Sequence, residues 1–266
     1  MTSRERLIAA INHQPIDRIP IDLGSTSVTG IHVSSLHALK VALGIISPKE
    51  PVKVINPFLM LGEVDEALRQ ILEIDTIALP SLGNTFGFEN ENWKPWNLFD
   101  GTPVLVPEKF NTYPDLNGDI VQYPRGDQSY APSARMPHGG FYHDAIIRKK
   151  GVVESELTVE NQIEEYSIYK ESALRFYENE ADRLFRETNY GIVFRGVPGS
   201  NLGDIAHIPG CALPNPKGIR DTEEWYISLL TRKNFIRDVF ARMTEIALKN
   251  LELFFQAVEN KIHVIV

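Results

Sequence analysis

Cysteine is almost absent from this chain: Cys211 is the single one among 266 residues. One thiol excludes an internal disulfide and suits a reducing compartment, so a cytoplasmic protein is expected. Long apolar runs are missing as well. No stretch approaches the ~20 residues that span a bilayer. The charged, amphipathic N-terminus has no apolar signal-peptide core. A basic surplus is also lacking. Lys and Arg total 27 against 35 Asp and Glu, a formal net charge of -8. Phosphate backbones need a basic surface, so a general nucleic-acid binder is excluded. There is no internal repeat and no low-complexity tract. What remains is ordinary globular composition, 43% hydrophobic and 23% charged. A chain of this length can bury a large α/β core.

The first residues carry the densest signal. Thr2 and Glu5 are spaced as a capping box, which satisfies two orphan amides at a helix start. Leu7, Ile8 and Ile11 then share one face, and the helix must stop before Pro15. Ile19-Pro20-Ile21 predicts a short buried strand over 19–23, with Asp22 and Gly24 at its end and Ser25-Thr26-Ser27 beyond. Small polar residues at a strand's carboxyl end are where α/β enzymes commonly place a site.

Helices and strands alternate further on. Leu36, Leu39 and Leu43 mark one helix, stopped by Gly44. Leu61, Val64, Leu68, Ile71 and Leu72 mark the next, leading into a buried strand at 74–79. A helix over 171–188 precedes a strand at 191–195, and a helical region over 221–259, opening at Asp221, precedes a final strand at 262–266. Strands separated by helices pair in parallel, because parallel strands need crossover connections. Residues 81–150 differ: Pro and Gly recur, and strand-like pieces at 104–106 and 120–123 flank Asn117-Gly118, a hairpin signal. That stretch reads as an insertion within a single domain covering 1–266.

The run S-R-E-R-x-x-x-A-x-N-x-x-x-x-D-R-I-P, from Ser3 to Pro20, resembles the opening of the superfamily of uroporphyrinogen decarboxylase and the corrinoid-linked methyltransferases. Asp75-Thr76-Ile77-Ala78, Gly101-Thr102-Pro103-Val104, Ser133-Ala134-Arg135-Met136-Pro137 and Gly196-Val197-Pro198 extend the resemblance, as does Glu245 to Asn250 in the last helix. It spans essentially the whole chain. The resemblance implies an α/β fold of the (β/α)8 TIM-barrel kind, yet only about four β-α units are legible. The last run, Ile262–Val266, stops inside what reads as a core strand. The expectation is therefore a truncated half-barrel of about four parallel strands, prone to self-association through its open edge. The alternative is that Ile262–Val266 forms the edge of a smaller open sheet.

The resemblance also implies chemistry. Methyltransferase members use a small methylated substrate, a corrinoid on a partner protein, and zinc held by a His-x-Cys pair and a distant Cys. No His-x-Cys pair occurs here. Pro209 and Gly210 separate His207 from Cys211 and prevent a helix from aligning them, so His207 reads as loop or surface and Cys211 as an apolar filler. No metal ligand or cofactor is assigned within this chain; the zinc ligands of a full-length protein are expected beyond Val266, and the isolated chain is expected to be inactive. Decarboxylases of the superfamily resemble one another in an arginine-bearing loop after the first strand. Here residues 22–30 hold no Arg or Lys, and Leu79-Pro80-Ser81 stands where their catalytic Asp would follow. An anionic tetrapyrrole would find no cation there. A corrinoid-dependent methyltransferase is the preferred reading; a tetrapyrrole carboxy-lyase and a noncatalytic small-molecule binder are the alternatives.

Candidate substrate-binding residues follow the predicted strands. Asp22, Ser25, Thr26 and His32 follow the first, Ser81 and Asn84 the second, Arg195 and Gly196 the third. Each has a structural alternative: Asp22 caps a turn, His32 caps a helix, Arg195 bridges to Asp22 or Asp204. Trp93 and Trp96 suit either a flat ligand or the anchoring of a loop.

Overall fold

The computed structural model describes all of Met1–Val266. It is a mixed α/β fold. Its central parallel sheet comprises β3 (Thr76–Ala78), β9 (Gly191–Phe194) and β10 (Val264–Ile265), in the order β10-β9-β3. Both pairings are parallel, as the intervening helices require. The helix α5 (Glu171–Glu187) leads into β9, and α6 (Thr222–Thr231) with α7 (Lys233–Val258) leads into β10. Tyr177, Ala181 and Leu184 from α5 join Ala247, Phe254 and Val258 from α7 over Ile192 and Phe194. The Phe194 and Phe254 rings stack at 4.1 Å. The helical region over 221–259 is two helices, because the chain breaks at Arg232, which pairs with Glu224 and Glu154.

Beneath the sheet lies α1 (Ser3–Ile11), opened by the capping box of Thr2 and Glu5. Gly191 permits its close approach: a Cβ there would lie 2.2 Å from Leu7 Cδ2. The apolar face expected of α1 is only partly used, since Ile8 and Ile11 are exposed and Arg6 is its one buried residue.

The strand expected over 19–23 does not form. The Ile21 carbonyl accepts from the Asp75 amide at 2.8 Å, but no ladder follows. Pro20 has no N–H to give, and the Ile21 amide donates to the Asp75 side chain instead of a backbone carbonyl. The segment lies extended beside β3 with Ile19 79% exposed.

The remaining strands build a second, larger core. One sheet has the order β2-β1-β5-β4, from β1 (Val52–Asn56), β2 (Leu61–Gly62), β4 (Lys94–Asn97) and β5 (Pro103–Val106). Another is antiparallel, β6 (Ile120–Gln122), β7 (Ala134–Met136) and β8 (Asp144–Ala145). The helix α2 (Val33–Ala42) contributes Val33 and Leu36 to this core, so residues 81–150 share it with residues 33–74. Leu61 is in β2, and α3 (Glu66–Ile71) begins only where Asp65 caps it, later than the apolar spacing suggests. The pieces at 104–106 and 120–122 are not partners; Asn117-Gly118 turns the chain between Pro114 and Ile120. A single-turn helix, α4 (Val159–Gln162), packs against α7. No helix is long and apolar enough to cross a membrane.

Candidate functional site

The two ends of the parallel sheet differ in kind. At the amino end, Asp75 is fully buried and takes four hydrogen-bonding groups. Arg6 Nη1 donates at 2.6 Å, Arg18 Nη1 at 2.6 Å and Nη2 at 3.1 Å, and the Ile21 amide at 2.8 Å. Arg6 also forks onto Asp17 at 2.6 and 2.7 Å. Burial opposes the Asp75 charge, but the Ile21 amide, Arg18 and Arg6 outweigh it and hold the carboxyl below its usual range. Arg4 reaches the other way, donating to the Phe185, Thr188 and Tyr190 carbonyls and covering the Phe185 ring at 4.1 Å. These arginines lock α1 to the end of α5 and the start of β9. They are structural ties at the amino face, where stability residues of such sheets gather.

The candidates expected at the carboxyl end separate into occupied and free groups. Asp22 Oδ1 accepts from Thr76 Oγ1 at 2.5 Å, tying the loop to β3. The Thr26 and Thr29 hydroxyls lie 3.3 Å apart and close a local turn with Gly24, whose φ is +81°. Ser25 is buried and its hydroxyl has no partner. His32 caps α2: Nδ1 accepts from the Ser34 amide at 3.2 Å, so Nε2 carries the proton and donates to the Phe141 carbonyl at 2.7 Å. Asn84 is a loop staple, bonded to the Phe86 amide and to Asn90. Ser81 is exposed.

Arg195 is exposed and makes no ion pair, neither with Asp22 nor with Asp204. Gly196 turns the chain at φ +103°, close to Ser200 and to the Val266 carbonyl. The register brings these together. Ala78 faces Val193, and the Leu79 amide donates to the Val193 carbonyl, so Ser81 and Arg195 emerge from adjacent strands at one end.

Beside Arg195 lies a polar cleft that the sequence did not announce. Gln162, Glu165, Tyr166, Asn201, Asp204, His207 and Arg220 line it, over Trp225, Phe240 and Met243. The cavity volume is about 20 Å³, room for about one water. Arg220 is 1% exposed and holds Glu164 and Glu165 at 3.2 and 3.5 Å. Burial raises the Glu165 carboxyl above its usual value and pushes Tyr166 up to about 12. His207 lies half-buried on a short turn at the surface, as expected, with Nε2 3.6 Å from Asp204. Burial lowers its pKa, Asp204 opposes that, and the nearby Arg195 charge adds to it.

Cys211 fills the larger core, its thiol directed at the Ser133 carbonyl at 3.6 Å, and burial pushes it up to about 11. A buried neutral thiol and a distant half-buried imidazole do not fit a zinc site, which requires thiolate and imidazole ligands converging on one point. No group of three or more His, Cys, Asp or Glu converges in this way. Trp96 packs on Phe110 at 5.5 Å, and Trp93 lies under Lys53 Nζ at 5.5 Å, so both serve as anchors.

The sequence also gave no warning of His143. It is 1% exposed, with both ring nitrogens unpartnered and Phe86 and Phe110 set edge-on at 5.6 and 5.7 Å. Flanked by Tyr142 and Asp144, it lies outside any regular apolar pattern. No family model, no curated protein and no solved structure matches the chain.

Proposed function

We propose that this chain is a half-barrel of the uroporphyrinogen decarboxylase superfamily, and that it supplies the small-molecule face of a corrinoid-linked methyltransferase. One observation carries the reading. Among the residues on which the resemblance rests, Arg6 of S-R-E-R and Asp17 and Arg18 of D-R-I-P are tied to one another or to the distant Asp75, while Arg4 holds the Phe185, Thr188 and Tyr190 carbonyls. The extended segment at 19–22, then β3, β9 and β10, follow one another across the sheet in the order that consecutive barrel strands take.

Arg195 is an exposed cation with no ion pair at the carboxyl end of β9, and it suits a single carboxylate or comparable anion. The neutral loop at 22–30 suits an uncharged, methylated part of the substrate better than a ring bearing many carboxylates. Asp204 and His207 can exchange a proton with a group held beside Arg195. The methyl donor or acceptor is a methylcorrinoid on a partner protein. A noncatalytic small-molecule binding role is the second reading.

The test is a methylcorrinoid assay on the protein expressed from its whole reading frame, with a thiol acceptor and with uroporphyrinogen as a separate substrate. Loss of the methyl–cobalt absorption, with a raised KM in Arg195→Ala and no carbon dioxide from uroporphyrinogen, supports methyl transfer. A folded protein that leaves methylcorrinoid intact removes that reading. Ligand binding that persists in it supports the noncatalytic one.

A further inference from the structure

A second cavity lies in a groove between residues 148–156 and 214–217, with a volume of about 530 Å³. Three cations line it, Arg148, Lys149 and Lys217, against a single carboxylate, Glu156. In a chain of net charge -8 this local excess runs against the whole.

Arg148 is the least satisfied of the three. Its guanidinium is partly buried and has no carboxylate partner. Nη2 donates to the Gly210 carbonyl at 2.6 Å and Nη1 to the Pro214 carbonyl at 3.3 Å, while the buried Nε has no partner. Buried charges are ordinarily paired, because desolvation without a counter-charge is expensive. The two buried arginines obey this: Arg6 has Asp17 and Asp75, and Arg220 has Glu164 and Glu165. Burial accordingly lowers the Arg148 pKa, a shift that a bound anion would reverse. Lys149 is shared with Glu156 at 2.5 Å, on a carboxylate that is half exposed and free to swing away. The two carbonyl bonds hold Arg148 against the 210–214 segment, so the cation is positioned in advance.

We propose that this groove binds a small polyanion, a molecule bearing a phosphate group or several carboxylates. Its volume falls within the range of small-molecule sites. Arg148 supplies the fixed charge, and Lys149 and Lys217 close over the ligand as mobile ones. Pro214 and Pro216 keep the 214–217 wall stiff. This site does not depend on the methyl-transfer reading.

The experiment is a calorimetric titration of the purified chain with inorganic pyrophosphate and, separately, with citrate, at low and at high salt. Saturable binding of either anion is expected, weakened by salt as an exposed charge pairing must be. Pyrophosphate preference assigns a phosphate ligand, and citrate preference a carboxylate one. Lys149→Gln combined with Lys217→Gln should weaken binding by about tenfold or more, while keeping the Arg148 anchor. Glu156→Gln should tighten it, because the competing carboxylate is gone; a merely structural Glu156 would not do this. No binding of either anion, or binding indifferent to all three substitutions, overturns the proposal. Arg148→Gln is the less useful variant, since it also cuts the ties to Gly210 and Pro214.

Discussion

Asp75 and His143 are buried ionisable side chains whose charge states couple to folding. Asp75 neutralises two arginines in the interior, and removing its charge leaves them facing each other. Asp75→Asn should therefore destabilise the fold by about 3 kcal/mol or more, read from the urea midpoint. Its depressed pKa fixes the sign of the acid effect: this contribution is present above about pH 4 and is lost as pH falls through the lower folded value. His143 acts earlier on the way down. Burial among aromatic rings lowers it to about 4, and the nearby Phe58 and Pro57 carbonyls offset that only in part. A folded value below the unfolded one means that the unfolded state takes up the proton first. Stability should fall as pH drops from about 6.5 to about 4, by about 3 kcal/mol in all. The decline should vanish in His143→Phe; thermal melts at pH 7, 5.5 and 4 would show it, and an unchanged slope in the variant would assign the decline to other groups.

At the scale of elements, the joints depend on close approach and on caps. Gly191 sits where α1 crosses the first residue of β9, and a side chain there meets Leu7 at once. Gly191→Val should detach α1 from the sheet, exposing the Arg6 and Arg4 ties, with a loss of about 1–3 kcal/mol. Hydrogen exchange would place the loss in residues 3–11, and uniform protection there would refute it. His32 closes α2 at one end and holds the Phe141 carbonyl at the other. His32→Ala should cost about 1 kcal/mol, and His32→Asn, which retains a capping acceptor, should recover part of it. These elements were legible in sequence. The box at Thr2 and Glu5, the 3.6-residue spacing of α5 and α7, and the apolar runs of β3, β9 and β10 are local signals. The run at 19–23 misled because its hydrophobicity was local while its pairing was not: the Ile21 amide was claimed by Asp75, 54 residues away.

The whole molecule has two cores of unequal size and an open parallel sheet. β10 is an edge strand two residues long, with Ile265 37% and Val266 62% exposed. An unpaired apolar edge is a template for another chain, so residues 1–266 purified by themselves should self-associate at micromolar concentration. Sedimentation velocity would check this, and Ile265→Lys, which places a charge on the edge, should shift the population toward monomer. A wild-type protein that remains a compact monomer at all concentrations would count against an available edge.

The sequence by itself determined the elements that rest on neighbours in the chain: the caps, the helical faces, the parallel β-α alternation, and the apolar role of Cys211. Of its candidates, Ser81 and Arg195 emerge from adjacent strands at one end of the sheet, while the strand expected before Asp22 does not form. The sequence could not say which of those candidates were already in use. Asp22 was bound to Thr76, Asn84 to Asn90, and His32 to Ser34 and Phe141, while Arg195 was left free. Nor could it reveal the polar cleft around Arg220, the unpaired Arg148, or the aromatic box around His143. Each depends on side chains brought together from distant segments, and such meetings follow from packing across the fold, which leaves no periodic mark in the chain.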